Sequence, residues 1–267
     1  MSDPVLYEFH EPGVGVITFN RPERMNAWTP EMGTMYFNYI DQCVADPKVR
    51  VIVVTGAGRG YCAGADMDSL QEIESATGVD RDPSRAAGDR VQLEITTISK
   101  PVIAAVNGAC AGLGLVQALM CDIRFAAAGA KFTTAFAKRG LIAEYGVSWI
   151  LPRLVGPARA MDLLFSSRIV LAEEAQEMGM VNTVVPADQL MEYTMAYAAD
   201  IARNVSPTSI SIMKRQVYGD YNQDLGTAGK TAVELMIKSF GRPDFAEGVS
   251  SFVQKRQAEF PSVNPNA

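Results

Sequence analysis

The strongest constraint on the fold is a pair of short, continuous apolar runs, each followed by a glycine-rich turn. Residues 51–55 read VIVVT and residues 102–106 read VIAAV, and the turns occupy residues 56–64 and 108–114. A run without polar alternation is typical of a strand covered on both faces, as in a parallel sheet flanked by helices. Helical spacing resumes after each turn. The pattern therefore predicts an α/β protein in which strands and crossover helices alternate.

The first part of the chain predicts a hairpin followed by a helix. Residues 5–9 and 14–20 are apolar or alternating on either side of Pro12-Gly13, which predicts a hairpin. Thr29 followed by Pro30 predicts the N-terminus of a helix with Thr29 as its cap. Further expectations are a strand at 123–127, helices at 67–73, 86–98 and 113–120, and a mobile polar loop at 77–85.

From Ala187 onward the sequence predicts helices only. Four segments carry an apolar stripe at helical spacing, at residues 188–204, 207–218, 227–240 and 243–260. An all-helical tail after an α/β core is expected to dock on that core or on a neighbouring subunit. We therefore divide the chain into a core over residues 1–200 and a helical C-terminal region over residues 201–267.

Composition argues against several classes of function. The chain has 267 residues, a formal net charge of −6 and a pI near 5.0. An acidic chain without a basic run does not suit nucleic acid, and no apolar run reaches the roughly 18–20 residues of a membrane span. The N-terminus lacks the basic flank and apolar stretch of a secretory signal, so a cytoplasmic protein is expected.

Cysteine and histidine content narrows the chemistry. The four cysteines show no CxxC spacing, so we expect buried thiols and no metal site. The single histidine, His10, adjoins Glu11 and Pro12 and is expected to be a turn or edge-strand residue. No G-x-S-x-G motif accompanies it, so a histidine-dependent nucleophile is not expected. Acid–base chemistry therefore falls to carboxylates.

The two glycine-rich turns share one physical design. They contain GYCAGADM at residues 60–67 and GACAGLG at residues 108–114. Each precedes a helix, whose first N–H groups are unpaired and lie at the positive end of the helix dipole. Two such groups directed at one oxygen form an oxyanion hole, commonly worth about 3–4 kcal/mol per donor in the transition state. Either turn alone is better explained as a tight strand-to-helix connection, and the absence of a complete G-x-G-x-x-G makes a dinucleotide fold a poor alternative.

Motifs in a fixed order carry a family resemblance. They are NRPERMNA at residues 20–27, CAGAD at 62–66, KPVIAAVNG at 100–108, CDI at 121–123, GL at 140–141, EG at 247–248 and FVQKR at 252–256. Together they resemble the crotonase superfamily, the enoyl-CoA hydratase/isomerase family, along nearly the whole chain. The resemblance implies a spiral of stacked ββα units with a helical C-terminal trimerisation region, as a homotrimer or a hexamer built from two trimers. It also implies an enzyme that stabilises a thioester enolate of an acyl-CoA substrate.

The resemblance further implies site residues. The backbone N–H groups of Ala65 and Leu113 would form the oxyanion hole, and the leucine, where the family usually has glycine, would reshape the acyl pocket. Coenzyme A enters as part of the substrate and not as a separate cofactor. It would lie against Arg24, Met25, Ala27, Ala63, Asp66 and Met67. Phe252 and Lys255 would reach the nucleotide from the tail of the same or a neighbouring subunit, the alternatives being tail packing and a solvated charge.

The sequence departs from the hydratase at both of its carboxylates. The positions of the two glutamates fall on Val116 and Phe136, and neither side chain can move a proton. Glu144 lies eight residues beyond Phe136, where relatives that isomerise ring-type or dienoyl thioesters carry aspartate. We therefore expect double-bond isomerisation with Glu144 as the single acid/base. An apolar wall of Val116, Phe136 and Trp149 would raise its pKa.

Alternatives to this mechanism remain open. Glu144 could serve only as an acid at the N-terminus of the helix that begins near Gly146. A hydratase or lyase in which Glu144 positions water, a hydrolase and a decarboxylase are compatible with the same residues. An acyl-CoA-binding relative without catalysis is the alternative from another class. Asp66 and Asp68 are expected to cap a helix, and Asp122 is expected to be structural.

Overall fold

An antiparallel hairpin begins the chain in the computed structural model, which describes residues 3–69, 71 and 90–263. Strand β1 (Val5–His10) pairs with β2 (Val14–Phe19), with Val5 opposite Phe19. The Gly13 N–H donates to the His10 carbonyl at 3.0 Å and closes the turn. The predicted hairpin is confirmed, and His10 is an exposed residue at the end of its strand.

Parallel pairing extends the hairpin into the main sheet. It adds β3 (Val51–Gly56), β5 (Val102–Val106), β7 (Ile123–Ala127) and β10 (Thr183–Val185), in the order β1-β2-β3-β5-β7-β10. Both β3 and β5 are buried along their whole length. This confirms that their continuous apolar runs belong to strands covered on both faces.

A second, smaller sheet contains β4 (Gly60–Cys62), β6 (Ala109–Ala111), β8 (Lys131–Thr133) and β9 (Val170–Leu171), in that order. Each of β4, β6 and β8 directly follows a strand of the main sheet, and these three run parallel. The segments predicted as glycine-rich turns at residues 56–64 and 108–114 therefore each include a short strand. Strands of three residues are too short to produce a period that a sequence pattern could reveal. All four cysteines are free and buried, as expected.

The helices of the core begin largely where the sequence predicts them. Helix α1 (Pro30–Ala45) is capped by Thr29, whose Oγ1 accepts the Met32 N–H at 3.2 Å. Helix α2 (Leu113–Met120) has the predicted bounds and is buried throughout. Residues 67–69 and 71 are helical, as expected. The remainder of that helix and the predicted loop at 77–85 lie outside the described residues. The other core helices are α3 (Val147–Val155), α4 (Pro157–Ser166) and α5 (Ala172–Glu177).

The prediction of a helix over residues 86–98 is wrong for residues 90–98, which the structure describes. Only a 3-10 helix at Gln92–Thr96 forms there. The hydroxyls of Thr96 and Thr97 donate to the carbonyls of Leu93 and Glu94 at 2.7 and 2.8 Å. Such local side-chain bonds compete with the backbone pattern of an α-helix, which explains why the segment ends early.

The C-terminal part is helical, as predicted. It consists of α6 (Leu190–Asn204), α7 (Pro207–Asp220), α8 (Leu225–Ser239) and α9 (Pro243–Gln254). Helix α6 packs on strands of the main sheet, whereas α8 has no buried residue. Beyond α9 the chain returns to the core, where Arg50 Nη2 donates to the Phe260 carbonyl at 2.7 Å. The predicted domain boundary at residue 200 falls within α6 and stays a prediction.

None of the helices in the described part of the chain is both long and apolar enough to cross a bilayer.

Candidate active site

One buried amide side chain holds the segment that precedes α1. The Oδ1 atom of Asn26 accepts the Arg21 N–H at 2.8 Å, and its Nδ2 donates to the carbonyls of Ala57 and Gly60 at 2.9 and 2.7 Å. Asn26 is fully buried and has a φ of 56°, a left-handed conformation that asparagine tolerates better than most residues. This role was missed from sequence, although an asparagine inside a turn was the available signal.

The first glycine-rich loop lies alongside this segment. The Trp28 N–H donates to the Gly64 carbonyl at 2.7 Å, and the Asp66 N–H donates to the Trp28 carbonyl at 2.9 Å. Ala65 lies between these bonds as the partner of Trp28 in a parallel bridge. Within the described residues the Ala65 N–H donates no hydrogen bond. The loop therefore leaves a backbone donor available at Ala65.

The second glycine-rich loop runs parallel to the first. Cys62 in β4 pairs with Cys110 in β6, and the Gly112 N–H donates to the Thr133 carbonyl at 3.0 Å. Leu113 is the first residue of α2, and no side chain caps this helix. Its N–H has no acceptor in the part of the chain that the structure describes. A second backbone donor is thus available at Leu113, as expected for the first turn of a helix.

These two loops pack backbone against backbone. A methyl group on Gly64 would lie 3.0 Å from the Ala111 carbonyl oxygen and 3.8 Å from the Gly112 Cα. A methyl group on Gly114 would lie only 2.2 Å from the Cys62 carbonyl oxygen. Glycine allows this approach because it has no Cβ. The two free N–H groups therefore follow the ends of adjacent parallel strands, an arrangement suited to an oxyanion hole.

A network of ion pairs fixes the chain just after Ala65. Arg21 Nη1 lies 2.9 Å from Asp66 Oδ2, and Arg24 Nη2 lies 3.4 Å from Asp66 Oδ1 and 2.6 Å from Asp68 Oδ2. Asp66 Oδ1 also accepts the Asp68 N–H at 3.1 Å, so its expected capping role is confirmed. Burial raises the pKa of Asp66, but the hydrogen bonds from Arg21, the Asp68 amide and Arg24 lower it below its ordinary value. Asp66 is therefore ionised and holds both arginines.

The structure brings together some of the residues expected to contact coenzyme A. Ala63 donates its N–H to the Met25 carbonyl at 3.0 Å, and Ala27 donates to the Arg24 carbonyl at 3.0 Å. Met67, which follows Asp66 in the sequence, has a half-exposed side chain. These five residues and Asp66 belong to the two paired segments around residues 24–27 and 63–67.

Phe252 and Lys255 lie at the C-terminal end of α9. The Phe252 side chain is 84% exposed, and Lys255 ends the helix with a φ of 55°. Among the described residues no side-chain hydrogen bond or ion pair joins them to the glycine-rich loops. Their expected contact with the nucleotide stays a prediction.

The two positions at which the resemblance places the glutamates of the hydratase are apolar and buried. Val116 lies on α2 and is completely buried, and Phe136 follows β8 and is almost completely buried. The chain two residues before Phe136 lies near the second loop, because a methyl group on Gly112 would be 3.8 Å from the Thr134 carbonyl oxygen. Neither side chain can exchange a proton, so this pair cannot act as acid and base.

Glu144 is the half-buried carboxylate of the loop that leads into α3. Its carbonyl accepts the Val147 N–H at 3.0 Å, whereas its carboxylate has no hydrogen bond or ion pair among the described residues. Burial raises the pKa of Glu144, as expected. The neighbouring Tyr145 has a φ of 49°, and its pKa is raised by burial and by Glu144. A carboxylate without a partner and with a raised pKa is suited to proton transfer.

Trp149, expected in the wall around Glu144, has its described ring contacts elsewhere. It packs edge-on against Tyr221 with ring centroids 5.2 Å apart, and the Arg153 guanidinium lies 4.1 Å from its ring centroid. Asp122, expected to be structural, accepts hydrogen bonds from Val102 and Lys214, both at 2.8 Å.

Comparison with known proteins decides the family. The model of the family described as Enoyl-CoA hydratase/isomerase matches residues 10–263. The chain belongs to the enoyl-CoA hydratase/isomerase family. It is similar to the 1,2-epoxyphenylacetyl-CoA isomerase of Escherichia coli, with 36% identity over 253 residues that cover 94% of this chain and 95% of that protein.

Solved structures of this family share the fold. An enoyl-CoA hydratase from Mycobacterium marinum, EchA12_1, has 52% identity and a TM-score of 0.71, over 83% of this chain and 100% of that chain. An enoyl-CoA hydratase from Bacillus anthracis has 29% identity and a TM-score of 0.88, over 97% and 99% of the two chains. The crotonase resemblance and the α/β architecture with its paired sheets are therefore confirmed.

Proposed function

We propose that this protein processes acyl-CoA thioesters by stabilising an enolate, with the backbone N–H groups of Ala65 and Leu113 as oxyanion donors. The observation that carries this proposal is the contact between two parallel glycine-rich loops that each leave one backbone N–H free. Two donors on the thioester oxygen stabilise the charge that develops when the carbon next to the carbonyl loses a proton. The family match supports the substrate class.

We further propose double-bond isomerisation with Glu144 as the single acid/base. The carboxylate takes a proton from one carbon, the electron pair moves into the thioester as a dienolate, and the carboxyl group, whose proton exchanges with solvent, delivers a proton to another carbon. The apolar Val116 and Phe136 argue against a second acid or base at the hydratase positions. A pKa raised by burial brings Glu144 closer to the strength that a base at neutral pH needs. The similar E. coli protein is named an isomerase of an epoxide CoA thioester, which supports isomerisation of a CoA thioester in general and not double-bond migration in particular.

Hydration is the second candidate, because the M. marinum protein at 52% identity is named an enoyl-CoA hydratase. In that case Glu144 would position and activate water. Formation of a 3-hydroxyacyl-CoA from a 2-enoyl-CoA is the product that distinguishes this reaction from isomerisation.

Substrate binding and assembly complete the proposal. The CoA moiety lies along the paired segments around residues 24–27 and 63–67, and the tail residues Phe252 and Lys255 approach the nucleotide. Exposed apolar side chains on α8 and α9 support association as a homotrimer or as a dimer of trimers; they include Leu225, Val233, Ile237, Val249 and Val253. No cofactor is required beyond the CoA of the substrate.

Mass-spectrometric deuterium uptake from heavy water tests the proposal. Saturated, 2-enoyl and 3-enoyl CoA thioesters are incubated with wild type, with Glu144→Gln and with Glu192→Gln, an exposed control on α6. We expect exchange or double-bond migration in wild type and control, and a loss of about 10²–10⁴-fold in Glu144→Gln. Unchanged turnover in Glu144→Gln would remove Glu144 from the mechanism. Absence of exchange in a wild type that binds these thioesters would favour a binding protein.

A further inference from the structure

A cavity of about 410 Å³ lies at the C-terminal end of α2. Its walls come mainly from α3, α6 and α7 and are largely aliphatic; they include Leu119, Leu154, Ile201 and Val217. This volume and lining are typical of sites that enclose small molecules. The candidate active-site residues do not line it, and about 12 Å of helix separates Leu113 from Cys121 at the two ends of α2.

One wall of the cavity carries a buried ion pair. Lys214 Nζ lies 2.8 Å from Asp122 Oδ2 and donates to the Lys100 carbonyl at 3.2 Å. Asp122 also accepts the Val102 N–H at 2.8 Å and the Tyr218 hydroxyl at 3.2 Å. The charge of Asp122 is therefore matched by Lys214, and both of its oxygens are occupied.

Arg124, in the same wall, has no such match. It is 5% exposed, and its Nε donates to the Met180 carbonyl at 2.8 Å while its Nη1 donates to the carbonyls of Leu119 and Cys121. No carboxylate pairs with this guanidinium in the described ranges, and its Nη2 donates no hydrogen bond there. Its direct acceptors are all neutral, and the nearby charge of Asp122 is already paired with Lys214. An anion beside this buried cation would therefore offset part of the cost of its burial.

We propose that this cavity is a second binding site, for an aliphatic carboxylate whose charge is received by Arg124. The charged side chains that line the cavity are Lys214, Arg124 and Asp122. Their net charge of +1 suits a ligand with a single negative charge. The planar guanidinium matches the geometry of a carboxylate. The aliphatic walls suit an alkyl chain, and the site is independent of the proposed chemistry at Ala65 and Leu113.

Ligand charge is the variable to test, because removing Lys214 or Arg124 would leave buried groups unpaired and destabilise the fold. Octanoate, octanol and octylamine are titrated calorimetrically into the full-length protein, with and without saturating octanoyl-CoA. Met213→Trp places a large side chain at the mouth of the cavity. Met236→Trp, at a similarly exposed methionine of α8 outside the cavity, is its matched control.

We expect one octanoate per chain, bound about tenfold or more tightly than octanol or octylamine, since a charged hydrogen bond is lost with either replacement. Octanoyl-CoA should leave this binding in place, Met213→Trp should weaken it by about tenfold or more, and Met236→Trp should not change it. The proposal is wrong if octanoate does not bind, as when a second subunit fills the cavity. It is also wrong if the three ligands bind equally, if octanoyl-CoA displaces octanoate, or if Met213→Trp binds like wild type.

Discussion

Replacement of Gly114 by alanine would force apart the two loops that carry the proposed oxyanion donors. The added methyl group would lie 2.2 Å from the Cys62 carbonyl oxygen and 2.7 Å from the Cys62 Cβ. Ordinary van der Waals contact begins near 3.4 Å, so the start of α2 must move about 1.2 Å away from β4. This movement would separate the Leu113 N–H from the Ala65 N–H.

The expected effect on activity is larger than the effect on stability. Overpacking a filled core costs about 1–3 kcal/mol, and each kcal/mol lowers the Tm of a chain of this size by roughly 2–4 °C. A misplacement of about 1 Å at a site of chemistry costs about 10²-fold in rate. We therefore expect a folded Gly114→Ala variant that catalyses deuterium exchange about 10²-fold more slowly than wild type.

Exchange rate, thermal unfolding and CoA-thioester binding are measured together on this variant. Gly219→Ala is the control, because its added methyl group would meet no atom within 4 Å outside the adjoining backbone of its own helix, α7. It should retain the wild-type rate and gain up to about 1 kcal/mol of stability. Wild-type exchange by Gly114→Ala would refute the argument that this contact sets the positions of the donors.

Three further outcomes are expected. The rate of exchange should rise with pH as Glu144 loses its proton, with a midpoint above the value of about 4.3 for an exposed glutamate; a pH–rate profile with its midpoint at or below that value would contradict the role of burial. Asn26→Ala leaves the Ala57 carbonyl without its donor and should lower the free energy of unfolding in urea by about 2–3 kcal/mol, whereas a loss under about 1 kcal/mol would mean that water replaces the amide. Thr29→Ala removes the cap of α1 and should cost about 1 kcal/mol, with Thr34→Ala, at an exposed position inside the helix, as the control that should change little.

Strands β3 and β5 of the main sheet could be predicted because their apolar runs are continuous. The runs at β3 and β5 are buried throughout, and Thr29 and the second glycine-rich turn set the starts of α1 and α2 within the predicted bounds. The second sheet could not be predicted, because its strands are two or three residues long and two of them consist mainly of glycine, alanine and cysteine. Pairing with a neighbour in space, not local preference, makes these residues strands.

The site was predictable only where side chains carry a chemical signal. Glu144 stood out as a carboxylate where the hydratase positions are apolar, and its raised pKa agrees with that reasoning. The ion pair of Arg21 with Asp66 joins residues 45 positions apart, and that of Asp122 with Lys214 joins residues 92 positions apart. Contacts at such separations depend on the tertiary fold, so no spacing rule along the chain reveals them.

Because the proposed donors are main-chain atoms, substitution at Ala65 or Leu113 leaves the hydrogen-bonding group in place. We expect activity to be sensitive instead to substitution of the neighbouring residues that leave room for these atoms, above all Gly64 and Gly114. Saturation mutagenesis should therefore show that Ala65 and Leu113 tolerate substitution, whereas Gly64 and Gly114 do not. Under the proposed mechanism, side chains such as Val116 and Leu113 would be free to diversify toward new acyl groups while the main-chain donors stay in place.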